Sequence, residues 1–348
     1  MQQTSKPKGL AKIWREVKRP FRKVFSSPGN NGLDSTAPTL SNISNEQITR
    51  QKNTRAKSYR ESYCDSFIID KDGKVHLPRV DCNIAFGCNL KCEYCTAISP
   101  FRTGIASKVA LIDSFEKWSH KISPETIRLL GGEPLLHPDI AEIVVATVHC
   151  FPQAQINITT NGLLIARLPD EVLLIFRKHN VHLIISQHMD TDEHNELLGR
   201  PIERIKTFRV SHEVYPSHIE WEIHINADHM GVPTPCQSNP EIAFNSCLCG
   251  NTALAIDGDY LYRCLRLLNM RQAVLEGALG PEWDKVLAHT PVSFLSSSEM
   301  IIDYCMGGPM PECTACPESY SVCEPRQLST GEIRRIQENI RQRKRKVA

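Results

Sequence analysis

Three cysteines within eight residues constrain this 348-residue chain more than any other feature of its sequence. The stretch CNLKCEYC places Cys88, Cys92 and Cys95 in a C-x3-C-x2-C spacing. Thiolates packed this closely can ligate three irons of a [4Fe–4S] cube and leave the fourth iron without a protein ligand. An open metal position is a site for chemistry, whereas a structural zinc site is closed by four ligands. We therefore predict an iron–sulfur site on this loop, with zinc as the alternative that closely spaced cysteines leave open.

A second motif lies one βα unit further along the chain. Gly131, Gly132, Glu133 and Pro134 end an apolar run from Thr126 to Leu130, which predicts a buried strand followed by a turn. Paired glycines let the backbone approach a small ligand closely, and a glutamate carboxylate accepts hydrogen bonds from an ammonium group. Because two glycines in a turn are common, the interpretation depends on the position of this tetrapeptide after the cysteine loop.

Together the two motifs resemble those of the radical SAM superfamily. The resemblance implies a [4Fe–4S] cluster on Cys88, Cys92 and Cys95, whose bare iron is chelated by the amino and carboxylate groups of S-adenosylmethionine (SAM). It implies reductive cleavage of SAM to a 5′-deoxyadenosyl radical, with the cofactor supplying the chemistry and the protein its position. It also implies that Tyr94 packs near the adenine and that residues 131–134 hold the methionyl amine.

Alternating strand and helix signals from Arg79 to Asn226 predict an α/β fold, namely a partial (β/α) barrel. The predicted strands end near Phe86, Leu130, Thr160, Ser186 and Asn226. Chemistry in parallel barrels sits at the C-terminal ends of the strands. By resemblance, Thr160, Asn161 and Ser186 are expected to line the SAM site, although an Asn-Gly turn and a capping serine are also ordinary structural features.

The last predicted barrel strand runs from Ile219 to Ile225 and alternates between apolar and polar residues. Glu222 and His224 share its polar face. One interpretation leaves that face in water. The other directs Glu222 and His224 into the mouth of the barrel, where strand ends carry the chemistry.

The C-terminal third holds a second group of cysteines around a predicted β-hairpin. The hairpin spans Ala253 to Arg263 and turns at Asp257-Gly258. A cysteine, a hairpin, a second cysteine and a distant C-x2-C resemble the Twitch and SPASM auxiliary-cluster domains of radical SAM enzymes. The resemblance implies an auxiliary [4Fe–4S] cluster, and a zinc ribbon is the competing interpretation. The candidate ligands are Cys264, Cys313, Cys316 and either Cys247 or Cys249, with Cys323 as a further cysteine that departs from the SPASM spacing.

These patterns divide the chain into four predicted regions. They are a basic amphipathic leader and disordered linker (1–60), a radical SAM partial barrel (61–245), an auxiliary-cluster domain (246–326) and a basic C-terminal helix or tail (327–348). Residues 10–25 suit an anionic membrane surface or a partner's groove, and a mobile basic leader is the equal alternative. No signal peptide is visible and thiol-rich iron–sulfur proteins belong in a reducing compartment, which predicts a cytoplasmic protein with peripheral contact at the inner membrane face as an option. No recognition motif supports nucleic-acid binding.

By resemblance, the chain is most similar to the short radical SAM dehydrogenases of aminocyclitol biosynthesis, the 2-deoxy-scyllo-inosamine dehydrogenase type. This implies hydrogen abstraction from a sugar or cyclitol alcohol, with the auxiliary cluster accepting the second electron and a flavodoxin or ferredoxin as reductase. The hydroxyl proton needs a base, for which the candidates by residue type are His188, Glu222, His224 and Arg263. Two alternatives stay open: a radical SAM enzyme that modifies a peptide substrate, and a non-catalytic metal-binding interaction protein.

Overall fold

The computed structural model describes residues 63, 65–218, 221–247, 249 and 251–347, and these all belong to one compact unit. The leader and linker predicted over residues 1–60, including the predicted membrane contact of residues 10–25, lie outside the described residues. Among the helices that the structure describes, none combines the length and the apolar composition needed to cross a bilayer.

The strands, in chain order, are β1 (Ile68–Ile69), β2 (Val75–Ala85), β3 (Ile122–Gly131), β4 (Gln155–Thr160), β5 (His182–Ser186), β6 (Ser211–Tyr215), β7 (Asn226–Ala227), β8 (Pro233–Thr234), β9 (Ala255–Asp257), β10 (Tyr260–Tyr262) and β11 (Val292–Ser293). The α-helices are α1 (Lys108–Ser119), α2 (Ile140–Cys150), α3 (Asp170–Lys178), α4 (Asp192–Thr207), α5 (Pro240–Ser246), α6 (Leu265–Leu275), α7 (Ser298–Met306) and α8 (Thr330–Val347). Short 3-10 helices span Ser99–Phe101, Pro134–Leu136, Ile165–Arg167, Pro281–Ala288 and Pro311–Ala315.

The main sheet has the strand order β11-β10-β9-β2-β3-β4-β5-β6, and β1 pairs with the first residues of β2. Strands β2 to β6 are parallel neighbours, and α1 to α4 connect them in turn. A parallel sheet needs such helical crossovers, and its strands are apolar because the helices cover them. The predicted partial (β/α) barrel is therefore confirmed. The fully buried side chains of this core include Leu77, Phe115, Trp118, Ile127, Ile158 and Leu183.

The predicted position of the fifth parallel strand is wrong. The strand beside β5 is Ser211–Tyr215, whereas the described part of the predicted strand, residues 221–225, forms only an isolated bridge between Glu222 and Val322. Its backbone pairs with the C-terminal part of the chain, since Cys323 N–H donates to Trp221 O at 3.0 Å. Residues 211–215 are mostly exposed and show no alternation of apolar and polar side chains. Pairing with β5 therefore decided the position of the strand, although the alternating pattern at residues 219–225 was the stronger strand signal in the sequence.

The predicted hairpin in the C-terminal third is present as β9 and β10, which turn at Gly258 with a φ of 56°. It is joined to the barrel sheet, because Ala255 of β9 pairs in parallel with Asp81 of β2. The hairpin thereby extends the barrel sheet beyond its first strand. The region predicted as a distinct auxiliary domain is continuous with the barrel at this point.

The C-terminal helix α8 is present as predicted, but it is more than a solvated tail. Ile336 and Ile340 are 3% and 1% exposed and form a small cluster with Val232. Phe101, next to the cysteine loop, packs against the same cluster. Burial of this apolar stripe fixes the start of α8 beside the loop.

Candidate active site

The cysteine loop leaves the C-terminal end of β2 and carries the first set of predicted ligands. The Cys88 Sγ accepts a hydrogen bond from Leu90 N–H at 3.4 Å, and the Cys92 Sγ accepts one from the Gln327 side-chain amide at 3.0 Å. Burial raises the pKa of Cys88 to about 11 and that of Cys92 to about 12, so both favour the neutral thiol in the absence of a metal. A sulfur that accepts an N–H hydrogen bond suits a negatively charged thiolate, which is the state that ligates iron. The loop therefore fits an iron–sulfur cluster by the chemistry of its donors.

The glycine pair lets two backbones approach each other at the loop. A Cβ at Gly131 would lie 2.0 Å from Ala85 O, and one at Gly132 would lie 2.1 Å from Gly87 O. Gly131 also has a φ of 138°, which disfavours any side chain. Gly132 N–H donates to Ala85 O at 2.8 Å, so β3 is tied to the segment that begins the cysteine loop.

Glu133 lies behind the glycines rather than at the surface of the site. Its side chain is completely buried and its carboxylate accepts three hydrogen bonds, from Leu135 N–H (3.0 Å), Thr160 Oγ1 (2.7 Å) and Asn161 N–H (2.8 Å). The contact between this carboxylate and the amine of SAM stays a prediction. Pro134 likewise begins a buried 3-10 turn. Gly131 and Gly132 are the residues of the motif that line the open space at the C-terminal ends of the parallel strands.

The pKa of Glu133 gives a pH-dependent contribution to stability. Burial raises this pKa to about 7, above the ordinary glutamate value, so the folded chain binds the proton more tightly than the unfolded chain. The free energy of unfolding is therefore expected to fall as the pH rises from about 4.5 to about 7, by about 3 kcal/mol at most. In metal-free protein, Glu133→Gln should reduce the difference between the urea midpoints at pH 5 and pH 8. The exposed-site variant Glu196→Gln should leave that difference unchanged, and equal pH profiles for all three proteins would contradict the assignment.

A cavity of about 300 Å³ lies at the C-terminal ends of the parallel strands and collects most of the predicted site. Cavities of this size hold small ligands. From the predicted cluster and SAM residues, its lining includes Cys88, Cys92, Tyr94, Cys95, Gly131, Gly132, Thr160, Asn161 and Ser186. The strand ends explain this convergence, because β3, β4 and β5 finish side by side at one edge of the sheet.

Asn161 joins the second motif to the cysteine loop. Its backbone N–H binds Glu133, while its side-chain Nδ2 donates to Asn89 Oδ1 at 2.8 Å and lies 3.6 Å from Cys88 Sγ. Tyr94 adopts a φ of 57°, which turns the loop between its last two cysteines. Hydrogen bonds thus hold Asn161, and the turn of the loop places Tyr94, at the wall of the cavity.

Three of the four candidate bases line the same cavity: His188, Glu222 and His224. Burial lowers the pKa of His188 to about 4, so its imidazole is neutral near pH 7. His224 Nε2 lies 3.4 Å from Glu222 Oε2, and the His224 ring stacks edge to face on Tyr320 with centroids 4.8 Å apart. The interpretation that turned residues 222 and 224 toward the barrel mouth agrees with this placement.

Arg263, the fourth candidate, lies elsewhere. Its guanidinium is buried beside Tyr304 and lines a second, small cavity of about 30 Å³. Arg263 does not line the cavity that the three candidates above share, and its role as a base stays a prediction. The cysteines that line the small cavity with it are Cys247, Cys264, Cys313 and Cys316.

Arg266 is a site residue that the spacing of the cysteines did not indicate. It is 6% exposed, with Nη1 3.8 Å from Cys316 Sγ and Nη2 3.7 Å from Cys249 Sγ. A buried guanidinium is costly unless negative charge surrounds it, and thiolates supply that charge. Cys249 thus faces Arg266, while Cys247 faces the cavity with the other three cysteines. The Arg266 guanidinium also lies next to Tyr320, with its Cζ 6.0 Å from the centre of the Tyr320 ring.

Cys323 is placed away from the other C-terminal cysteines. It pairs through its backbone with Trp221, and the charge of Glu93 on the first cysteine loop adds to the burial that raises its pKa. Its predicted role in the auxiliary site is not supported by this position. In the part of the chain that the structure describes, no group of three His, Cys, Asp or Glu side chains is arranged to hold a single metal ion.

Comparisons with known proteins give a family and distant relatives. Residues 82–218 match the model of the Radical SAM superfamily. Human molybdenum cofactor biosynthesis protein 1 is 27% identical over 167 residues, which are 44% of this chain and 25% of that protein. GTP 3′,8-cyclase 2 of Mycobacterium bovis is 33% identical over 84 residues, 23% of each chain. The chain thus spans about a quarter of the length of these curated relatives. The solved structure of BtrN in complex with AdoMet and 2-DOIA is 16% identical, covers 60% of this chain and 84% of its own, and has a TM-score of 0.33.

Proposed function

We propose that this chain, whose residues 82–218 match the Radical SAM superfamily, cleaves SAM and oxidises an alcohol substrate in the 300 Å³ cavity. The observation that carries the proposal is the pairing of two cysteine sites. Three cysteines open onto the cavity, and four others share a separate, enclosed space.

The first site would hold the SAM-binding cluster on Cys88, Cys92 and Cys95. When bound there, the [4Fe–4S] cluster and SAM supply a 5′-deoxyadenosyl radical after one electron from a reductase such as flavodoxin or ferredoxin. The chain's own contribution is to place SAM. The backbone of Gly131 and Gly132 forms the close-packed wall, and Thr160, Asn161, Ser186 and Tyr94 line the rest of that surface.

A substrate in the cavity would meet the pair formed by Glu222 and His224. The 3.4 Å separation lets Glu222 stabilise an imidazolium when His224 accepts the hydroxyl proton. In each turnover the carbinol hydrogen atom would end in 5′-deoxyadenosine and the hydroxyl proton on His224, and a cluster held by the second set of cysteines would accept the second electron. The products are then a ketone, methionine and 5′-deoxyadenosine from one alcohol and one SAM.

The second site would hold the electron-accepting cluster on Cys247, Cys264, Cys313 and Cys316. We choose Cys247 over Cys249 because Cys247 lines the shared cavity and Cys249 does not. Contacts lead from this site to the base, through Arg266 and Tyr320 to His224. That chain of neighbours supports a role in substrate oxidation.

The direct experiment is anaerobic reconstitution followed by incubation with SAM, dithionite and a panel of cyclitol and sugar alcohols. We expect about eight irons per chain, 5′-deoxyadenosine formation, and a ketone from at least one alcohol. Deuterium at the oxidised carbon should appear in 5′-deoxyadenosine. A fully loaded protein that forms no 5′-deoxyadenosine would refute SAM cleavage, and a colourless zinc protein would refute the clusters.

The auxiliary site is tested by the double variant Cys264→Ala/Cys316→Ala. We expect iron to fall from about eight to about four per chain while SAM cleavage continues and ketone formation is lost, because the second electron has no acceptor. Cys150→Ala, which changes a cysteine at the end of α2, is the control and should keep both activities. Undiminished ketone formation in the double variant would rule out the acceptor role.

A radical rearrangement without net oxidation is the second candidate. It is favoured by the curated relatives, of which several are named as GTP 3′,8-cyclases. Incubation of the reconstituted protein with SAM, dithionite and GTP separates the two proposals. Consumption of GTP to a product of equal oxidation state would favour rearrangement, whereas ketone formation from an alcohol would favour oxidation.

A further inference from the structure

The segment after the last cysteine pairs its backbone with that of the first cysteine loop. Glu93 N–H donates to Arg326 O at 2.9 Å, and Leu328 N–H donates to Lys91 O at 2.8 Å. Between them, Cys92 and Gln327 form an isolated antiparallel bridge. The middle of the cysteine loop is therefore paired with residues about 235 positions later in the chain.

The Gln327 side chain holds this loop at two adjacent points. Its Oε1 accepts the Lys91 N–H at 2.5 Å, and its Nε2 donates to Cys92 Sγ at 3.0 Å. Cys92 is only 6% exposed, so this amide replaces water as the donor to its sulfur. The oxygen and the nitrogen of one side-chain amide thus both form hydrogen bonds with the same turn of the loop.

The position of Gln327 is fixed from both sides. Before it, Arg326 forms two hydrogen bonds with the carboxylate of Glu93, at 2.7 and 2.9 Å. After it, Ser329 and Glu332 form a reciprocal cap at the start of α8, in which Ser329 N–H donates to Glu332 at 2.8 Å and Glu332 N–H donates to Ser329 Oγ at 3.2 Å. Because the apolar stripe of α8 is buried, the amide is held in place without help from a bound cluster.

We propose that Gln327 is a positioning residue of the radical-generating site, which orients the Cys92 sulfur and raises the reduction potential of the cluster bound there. A hydrogen bond to a ligating sulfur stabilises the added negative charge of the reduced cluster more than it stabilises the oxidised one. The proposal rests on a cluster at the loop cysteines and is independent of the alcohol oxidation proposed above. It also gives the C-terminal segment a role in forming the radical site.

Two variants separate the two functions of the amide. Gln327→Glu keeps an oxygen for the Lys91 N–H and replaces the donor to Cys92, whereas Gln327→Leu removes both. Gln337→Leu changes an amide further along α8 and is the control. The measurement is a redox titration of the reconstituted full chain, followed by electron paramagnetic resonance on the signal that changes when SAM is added, together with iron content.

We expect both Gln327 variants to shift that potential to more negative values than the control, with the rate of SAM cleavage at a fixed donor potential falling about tenfold. Loss of about four irons from a folded Gln327→Leu protein would also support the positioning role, since this variant removes the donor to Cys92 without adding a charge beside the sulfur. Potentials and iron contents equal to those of Gln337→Leu would overturn the proposal. If wild-type protein forms no 5′-deoxyadenosine, it is the proposed function that fails; if it does and the variants match the control, only this inference fails.

Discussion

Replacing Cys88, Cys92 and Cys95 together by alanine is expected to reduce 5′-deoxyadenosine formation to background. All three sulfurs line the cavity, so the substitution removes every protein ligand that the loop supplies to the cluster. Iron should fall from about eight to about four per chain, because the second cysteine site is enclosed elsewhere and keeps its own cluster. The measurements are iron and sulfide content and chromatography of the SAM cleavage products.

Two comparisons make the cysteine result specific. The Cys150→Ala protein should retain full iron and full SAM cleavage, and unfolding midpoints should show that the triple variant is folded. Continued SAM cleavage by the triple variant, at a rate near that of the wild type, would mean that the radical chemistry occurs at another site. Complete loss of iron would mean instead that the two cysteine sites do not assemble independently.

Gly132→Ala is expected to produce the second largest effect, through strain rather than through loss of a ligand. The added Cβ would lie 2.1 Å from Gly87 O and 2.6 Å from the Gly87 carbonyl carbon, which are backbone atoms and cannot rotate away. Either β3 or the start of the cysteine loop must move, at a cost of about 3 kcal/mol in the free energy of unfolding. Because Gly87 precedes Cys88 directly, the same movement displaces this proposed cluster ligand and should weaken SAM binding. Denaturant unfolding and equilibrium binding of SAM measure the two consequences.

The matched control for this strain is Gly199→Ala. Gly199 lies within α4 and has open space around the position of an added Cβ, so alanine there should be neutral or slightly stabilising by about 0.5 to 1 kcal/mol. If Gly132→Ala were as stable as Gly199→Ala and bound SAM equally well, the close backbone contact would have no role in forming the site.

Much of the cavity wall could be predicted from short sequence patterns. The loop cysteines and the glycine pair are local motifs, and the rule that parallel strands present their C-terminal ends at one edge brought Thr160, Asn161 and Ser186 to the same cavity. The hairpin that turns at Asp257-Gly258 could also be predicted from the sequence, because its turn residues and its apolar runs are adjacent in the chain.

Contacts between distant segments could not be predicted in this way. The alternating pattern before Asn226 suggested a barrel strand, yet its backbone pairs with residues near Cys323, about 100 positions later. Nothing in the cysteine spacing indicated that Arg266 would be buried among sulfurs, or that Gln327 would donate to Cys92. The sequence motif around Glu133 suggested that its carboxylate contacts a ligand, but it did not indicate that this carboxylate accepts three hydrogen bonds from the protein itself.

The sequence by itself determined the cysteine loop, the parallel α/β barrel and the C-terminal group of cysteines, because these depend on residue types at fixed local spacing. Only the tertiary structure decided which cysteine faces the second cavity, which candidate bases line the first, and how the C-terminal segment pairs with the first cysteine loop. The physical reason is that hydrogen bonding and burial are satisfied by whichever group is nearest in space, and for Cys92 that group is an amide 235 residues away.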